Sequence, residues 1–534
     1  MKYTFDQYNL LFDQSVSQAA HLNYSQHMRR EESTVSTNHP ADFPRLGPDL
    51  SFQRGLDAGQ ITCINRLIVV LGIGLLSFPI AIMMAIGGIF FLVFSTLILW
   101  RGFLVLVGVC VRLTRQHGAI EPRVSVDLPT YSILIPLYLE ARLIPQISRA
   151  LSRLNWPQDR LDVQILIEVD DLETLNAATN ARFPAYTRIQ TVPAGGPRTK
   201  PNALNFGLSE AIGQLITVYD AEDIPHPDQL LAAHHAFSHG PDDLVCVQAP
   251  LVGEPQRGGW LSEHWALEYA VQFGLLLPGL ALYRMPILIG GTSNHFRKDA
   301  LQALGGWDSW NVTEDADLGM RIARAGLACG TIRPPTVEDA PDRFTPWLAQ
   351  RSRWIKGFVQ TWLVLMRSPG KTCRQMGLLP FLTMQLCLGG AILAPLLYMP
   401  CLIGVGLVGL WPGLALGPFG SGLLIAGVSV GLLSDMCAPG RLRWGRLAAI
   451  LTRPAYWSLH SLAAYRAFWE LAKAPFFWAK TPHKPRDLQE TELCSTGLSA
   501  SASPLASSYS ASTLNQKWAP FAKKTNARIS FHGD

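Results

Sequence analysis

Acidic residues recur in this sequence where short apolar runs stop, and that pattern can do chemistry. PLYLE closes one run with Tyr138 and Glu140. EVDD closes a second with Glu168, Asp170 and Asp171, and YDAED closes a third with Asp220, Glu222 and Asp223. One such cluster reads as a helix cap or a solvated turn. Three of them gather like charges, and a divalent cation is the usual way to offset the repulsion. Hard Mg²⁺ or Mn²⁺ prefers carboxylate oxygens. Asp220 and Glu222 flank a single residue, so both can reach one ion from a tight turn. Such an ion would stabilise charge on a departing diphosphate.

Two more constellations follow. In GGWDSWNVTEDADLGMRIARAG a helix carries its own punctuation: Thr313 as cap, Glu314, Asp315 and Asp317 in the first turn, Arg321 and Arg324 in the last, and Gly326 beyond. The helix dipole accounts for those acids at about 0.3–1 kcal/mol each on a surface. It does not account for the density of Gly and Trp before them, so a structural and a functional reading both stand. In QRSRW, helical spacing puts Gln350, Arg353 and Trp354 on one face. A guanidinium fork there suits a diphosphate, and an indole suits the C–H face of a sugar ring. An interfacial helix with aromatic anchors is the alternative.

These residues need elements to position them. Apolar runs at Tyr131–Pro136, Val163–Val169, Leu215–Tyr219 and Leu244–Val247 alternate with helical stretches. That texture predicts an α/β domain over 128–350 with a mostly parallel sheet, which binds ligands at the carboxyl ends of its strands. Its flanks differ. Charged residues make up 16% of the 534-residue chain, against about 25% in ordinary soluble domains. Hydrophobic residues pile up near 63–112 and 377–475. Residues 63–112 predict a transmembrane hairpin, and 377–478 a block of two to four spans. Arg101 interrupts the hairpin, either snorkelling or facing a polar path. The stretch 344–370 reads as interfacial amphipathic helices. Residues 1–62 read as a partly disordered cytoplasmic tail, and 484–534 as a disordered one.

The net charge of +5 shows no basic stripe, so nucleic acid is not an expected partner. The nine cysteines form no CxxC pair, which argues against a zinc site or a disulfide framework. Arg112, Arg115 and Arg123 after the hairpin put that end, and the domain behind it, on the cytoplasmic side.

The ordered set PLYLE, EVDD, KPNALNFGL, YDAED, GGTSNHFR, GGWDSWNVTEDADLG and QRSRW resembles the processive family 2 glycosyltransferases, the superfamily of bacterial cellulose synthases. The resemblance covers roughly 128–365, with a weaker similarity in WAKTPH at 478–483. It implies a Rossmann-like GT-A-type cytoplasmic domain inserted between α-helical transmembrane segments of the plasma (inner) membrane. It also implies roles. Tyr138, Glu140, Asp170 and Asp171 would hold the nucleoside, with uridine expected, and Lys200 would lie near the diphosphate. Asp220 and Glu222 would bind the metal, Mg²⁺ or Mn²⁺, and the diphosphate. Asp315 would be the general base, with Glu314 beside it in the catalytic motif. Gln350 and Arg353 would bind the diphosphate, and Trp354 the acceptor sugar. The partners so implied are a nucleotide-sugar donor, a glycan or lipid-linked acceptor, the membrane and export proteins. One departure is the metal motif, Asp-Ala-Glu-Asp rather than a plain DxD, which puts cellulose itself in question as product. Another is that nothing in the residues given after the membrane block resembles the cyclic-di-GMP-binding barrel of some relatives.

The expected function is therefore inverting transfer onto a growing β-linked polysaccharide, coupled to secretion. A non-processive glycolipid transferase is the first alternative, and a non-catalytic scaffold or receptor the second. ATP-driven transport is excluded for want of a GxxxxGK[ST] phosphate loop.

Overall fold

The computed structural model describes residues 46–116, 128–194, 196–255, 259–410 and 417–477. WAKTPH and the expected C-terminal tail lie outside them.

Among the described residues, ten strands form two sheets: β1 Tyr131–Leu137, β2 Leu161–Glu168, β3 Thr187–Val192, β4 Leu215–Val218, β5 Ile224–Pro225, β6 Leu244–Gln248, β7 Leu251–Glu254, β8 Asn294–Arg297, β9 Ala328–Thr331 and β10 Thr336–Asp339. The larger sheet runs β3-β2-β1-β4-β8-β6-β9. Only β8 opposes its neighbours, β4 and β6, and the other pairs are parallel. Both faces of this sheet are covered, so its central strands read as continuous apolar runs. Ile133, Leu134, Val163 and Ile165 are wholly buried. The small sheet runs β5-β10-β7.

The helices used below are α1 Ala58–Ser77, α2 Pro79–Gln116, α3 Lys200–Glu210, α4 Trp260–Val271, α5 Glu314–Arg324, α6 Phe344–Leu365, α7 Leu378–Leu410, α8 Pro418–Cys437 and α9 Arg453–Lys473. Among the described residues, five helices are long and apolar enough to cross a membrane: Ala58–Ser77, Pro79–Thr114, Trp260–Leu282, Leu378–Leu407 and Pro418–Cys437. The third of these escapes a sequence reading because Glu263, His264 and Glu268 break its apolar run. It is also half buried, packed on β7. The C-terminal block supplies two such helices among the described residues, while α9 packs on α6 and α7.

Two expectations need correction. The tail assigned to 1–62 is not all tail. α1 starts at Ala58 behind a capping box, in which Gln60 N donates to Asp57 Oδ1 at 2.7 Å and Asp57 N to Gln60 Oε1 at 3.1 Å. Before it, 46–57 straps onto the domain. Ser51 Oγ and Phe52 N donate to buried Asp308 at 2.7 and 2.8 Å, and Arg367 donates to the carbonyls of Pro48, Ser51 and Gly55. A short aperiodic segment gives no sequence signal for partners more than 250 positions away. The helix expected to lie in the membrane interface over 344–370 is also packed inside. Trp347 and Lys356 of α6 are fully buried, and Lys356 reaches Glu470 at 3.2 Å and the Phe477 carbonyl at 2.7 Å. An amphipathic pattern reports that two faces differ, not what covers them.

Candidate active site

Because β2, β1 and β4 are adjacent and parallel, their carboxyl ends lie side by side. The three acidic clusters therefore share one sheet edge. That edge borders a cavity of about 1700 Å³. Tyr138, Glu140, Glu168, Lys200, Asp220 and Glu222 line it together with Glu314, Asp315, Gln350, Arg353 and Trp354. The same cavity continues between the apolar helices, past Phe94, Leu402 and Leu423.

Asp170 and Asp171 do not line it. Asp170 pairs with Arg198 at 2.5 Å, and it is Arg198 that faces the cavity. Asp171 caps the Leu172–Thr179 helix, accepting from Thr174 N at 3.1 Å, and also accepts from Leu139 N at 2.5 Å. Leu139 has φ 54, a backbone state unusual for a branched side chain. Asp171 thus pins the turn that carries Tyr138 and Glu140.

Lys200 stands at the start of α3, where its ammonium donates to Asp220 and, at 2.8 Å, to the Gly291 carbonyl. A Cβ at Gly291 would fall 3.2 Å from Asp315 Oδ2 and 3.4 Å from Lys200 Nζ. A glycine at 291 leaves the Asp315 carboxylate and the Lys200 ammonium room to approach. Burial alone would lower the Lys200 pKa, but the charges of Asp220 and Glu314 outweigh it and keep the ammonium protonated.

The start of α5 is held by α6. Val312 N donates to Gln360 Oε1 at 3.0 Å, Asn311 Nδ2 to Thr361 Oγ1 at 2.9 Å, and Arg353 Nη1 to the Val312 carbonyl at 3.0 Å. The TED and QRSRW elements are therefore one mechanical unit. Thr313 occupies the cap position, yet its hydroxyl makes no capping bond, contrary to the sequence reading. Nor do the acids sit on a surface. Burial raises the Asp315 pKa, and burial together with the Asp315 charge raises Glu314 to about 7. Asp317 is different: it is buried against Arg321 at 2.7 Å, a structural pair. His295 is structural too, enclosed between Tyr131 and Gln229.

Besides Arg198, three more cavity residues were missed in the sequence. Glu338 arrives through the small sheet, where Val337 of β10 pairs with Ile224 of β5. Burial, then the charges of Glu222 and Asp220, push its pKa up to about 8. TVEDAP has nothing to mark it off from a surface strand. Glu268 and Arg351 also line the cavity. Arg351 lies within QRSRW, three residues before Trp354 and so beside it on the helix.

Asp220 and Glu222 fit a divalent cation as hard oxygen donors on one wall. No group of three or more His, Cys, Asp or Glu among the described residues could hold a metal by itself. Magnesium commonly shares one or two protein carboxylates with substrate phosphates.

Residues 215–426 match the model of the Glycosyl transferase family group 2. The beta-monoglucosyldiacylglycerol synthase of Synechocystis sp. is 25% identical over 294 residues, 51% of this chain and 58% of that protein. The cellulose synthase catalytic subunit of Komagataeibacter sucrofermentans is 26% identical over 245 residues, 45% of this chain and 32% of that one. A solved mannosyltransferase from Pyrobaculum calidifontis, in complex with GDP-Man and Mn²⁺, is similar with a TM-score of 0.44 at 18% identity, covering 71% of this chain and 98% of that one. The chain spans about half the length of the first curated relatives it matches. With its motifs in order along a sheet that gathers them, the chain is similar to the family 2 glycosyltransferases, the cellulose synthase-like proteins among them.

Proposed function

We propose that this chain is an inverting hexosyltransferase that moves a sugar from a nucleotide-sugar, with a UDP-sugar the expected donor, to a β-linked glycan growing through the membrane. One observation carries the reading: Asp220, Asp315 and Trp354 face a single cavity that runs from the sheet edge into the apolar helices.

Tyr138 and Glu140 bind the nucleoside on the turn that Asp171 pins, and Asp170 orients Arg198 towards it. Lys200, Gln350 and Arg353 hold the diphosphate. Asp220 and Glu222 would hold Mg²⁺ or Mn²⁺, which neutralises charge on the departing diphosphate when bound. Asp315, with its raised pKa, accepts the proton of an acceptor hydroxyl. The acceptor oxygen bonds to the anomeric carbon as the bond to the diphosphate breaks on the opposite face. One displacement inverts that centre, so an α-linked donor gives a β-linkage. Trp354 presents its indole to the acceptor sugar. The helices suit a plasma-membrane protein with its catalytic domain on the cytoplasmic side, where the nucleotide-sugar is bound.

A second reading also has support. The cavity wall between the helices is aliphatic and aromatic at Phe90, Phe91, Leu402 and Leu423, and one relative is named as a glycolipid synthase. A lipid acceptor would suit that wall. A radiolabelled transfer assay separates the readings. Membranes holding the wild type or Asp315→Asn receive UDP-glucose, UDP-N-acetylglucosamine or GDP-mannose with Mg²⁺ or Mn²⁺. A long β-glycanase-sensitive product made by the wild type alone supports polymer synthesis. Label confined to the organic phase supports the glycolipid. No consumption of any donor by folded protein overturns both.

A further inference from the structure

The Arg351 guanidinium lies against two neighbouring indoles whose planes are tilted by 39°. Its Cζ is 4.3 Å from the ring centre of Trp265 and 4.6 Å from that of Trp354. The two indoles are themselves 5.2 Å apart between centroids. A planar cation stacked on a ring fixes the tilt of that ring, which a lysine ammonium cannot do.

The guanidinium is itself oriented by Glu268 of α4. The Glu268 carboxylate accepts from Arg351 Nη2 and, at 2.8 Å, from the Tyr456 hydroxyl, and it faces His460 Nε2 at 3.2 Å. Tyr456 OH accepts from Trp347 Nε1 at 2.9 Å. The carboxylate thus gathers donors from α6 and α9 and passes one fixed direction to Arg351. Both members of the ion pair line the cavity. A pair that merely glued helices would be replaceable by well-packed apolar side chains without the cost of desolvating two charges. Beside an aromatic platform it has another use, which is to set an angle.

We propose that Glu268 is a positioning residue for the acceptor, acting through Arg351 on the plane of Trp354. The proposal rests on the reading of Trp354 as the acceptor platform. Glu268 touches no reacting atom, so its loss should misplace the acceptor while leaving the donor site as it is.

The full chain in nanodiscs carries the test, as wild type, Glu268→Gln, Glu268→Asp and Arg351→Lys. The first readout needs no activity: the circular-dichroism exciton couplet of the Trp265–Trp354 pair, assigned by its loss in Trp354→Phe. Glu268→Gln and Arg351→Lys should lose at least about half of it, and Glu268→Asp should keep most of it. The second is transfer from UDP-glucose, UDP-N-acetylglucosamine or GDP-mannose to a titrated cello-oligosaccharide. Glu268→Gln should raise the acceptor KM about tenfold while the donor KM moves less than about twofold, the split expected when only acceptor binding is lost. Glu268→Asp should recover part of that loss. An unchanged couplet in Glu268→Gln overturns the proposal. So does a parallel fall in turnover and melting temperature with both KM values unmoved, which would mark a purely structural pair. If the wild type uses no donor, the transferase reading fails, and the couplet alone decides whether Glu268 sets the indole plane.

Discussion

Gly357 of α6 lies so close to Thr313 that a Cβ at 357 would fall 2.1 Å from the Thr313 hydroxyl oxygen. That contact is how the QRSRW helix reaches the start of the TED helix, one residue before Glu314 and two before Asp315.

Gly357→Ala should push the two helices apart. Overpacking of this kind costs about 1–3 kcal/mol of stability. Thermal melting should show that loss, and transfer should fall further than melting accounts for, because Asp315 moves with the helix. Thr313→Gly in the same chain should restore part of both. A Gly357→Ala protein with wild-type melting and turnover would mean that the contact is slack.

Removing the Asp315 carboxylate, the base in the proposed mechanism, should be far more severe. Asp315→Asn keeps the shape of the side chain and removes its proton affinity. Transfer should drop by about 10²–10⁴, the usual contribution of a general base. Donor affinity, measured by calorimetry on the purified protein, should change little. Near-normal turnover would transfer the role to Glu314, for which Glu314→Gln is the matching experiment.

The pH profile carries a sign. Asp315 must be unprotonated to accept a proton, and burial raises its pKa. Transfer should therefore fall as pH drops, with the acid limb above the ordinary aspartate value of about 3.9. Lys200 and Arg353 hold that pKa down against burial. Lys200→Met removes one of those cations, so the carboxylate protonates more readily and the limb should move to higher pH. Residual activity measured across pH suffices, since the position of the limb is read and not its height.

Metal dependence should follow the same residues. Chelation should abolish transfer, and Mn²⁺ or Mg²⁺ should restore it. Asp220→Asn and Glu222→Gln should each raise the metal concentration required, because a site with two protein carboxylates has none to spare. Transfer indifferent to chelators would remove the metal from the mechanism, and Lys200 and Arg353 would then carry the diphosphate charge.

Much of this was legible in the residues. The α/β alternation, the acidic strand ends and the apolar helices follow from local pattern, since burial on two faces, one face or none imposes its own periodicity. Asp220, Glu222, Arg353 and Trp354 could be named from the spacing inside their motifs, and Asp315 from the family resemblance. Tertiary structure alone decided what met across long separations. It turned Asp171 from the cavity to the Leu139 turn, set Arg198 at the cavity with Asp170 behind it, and brought Glu338 beside Glu222 through a two-residue strand pairing. It packed α6 inside the protein, so that Arg351 finds Glu268 and Lys356 finds Glu470. The reason is physical. A periodic pattern states which face of an element is buried, whereas the partner of a buried charge depends on which other element covers that face, and only the packed chain supplies it.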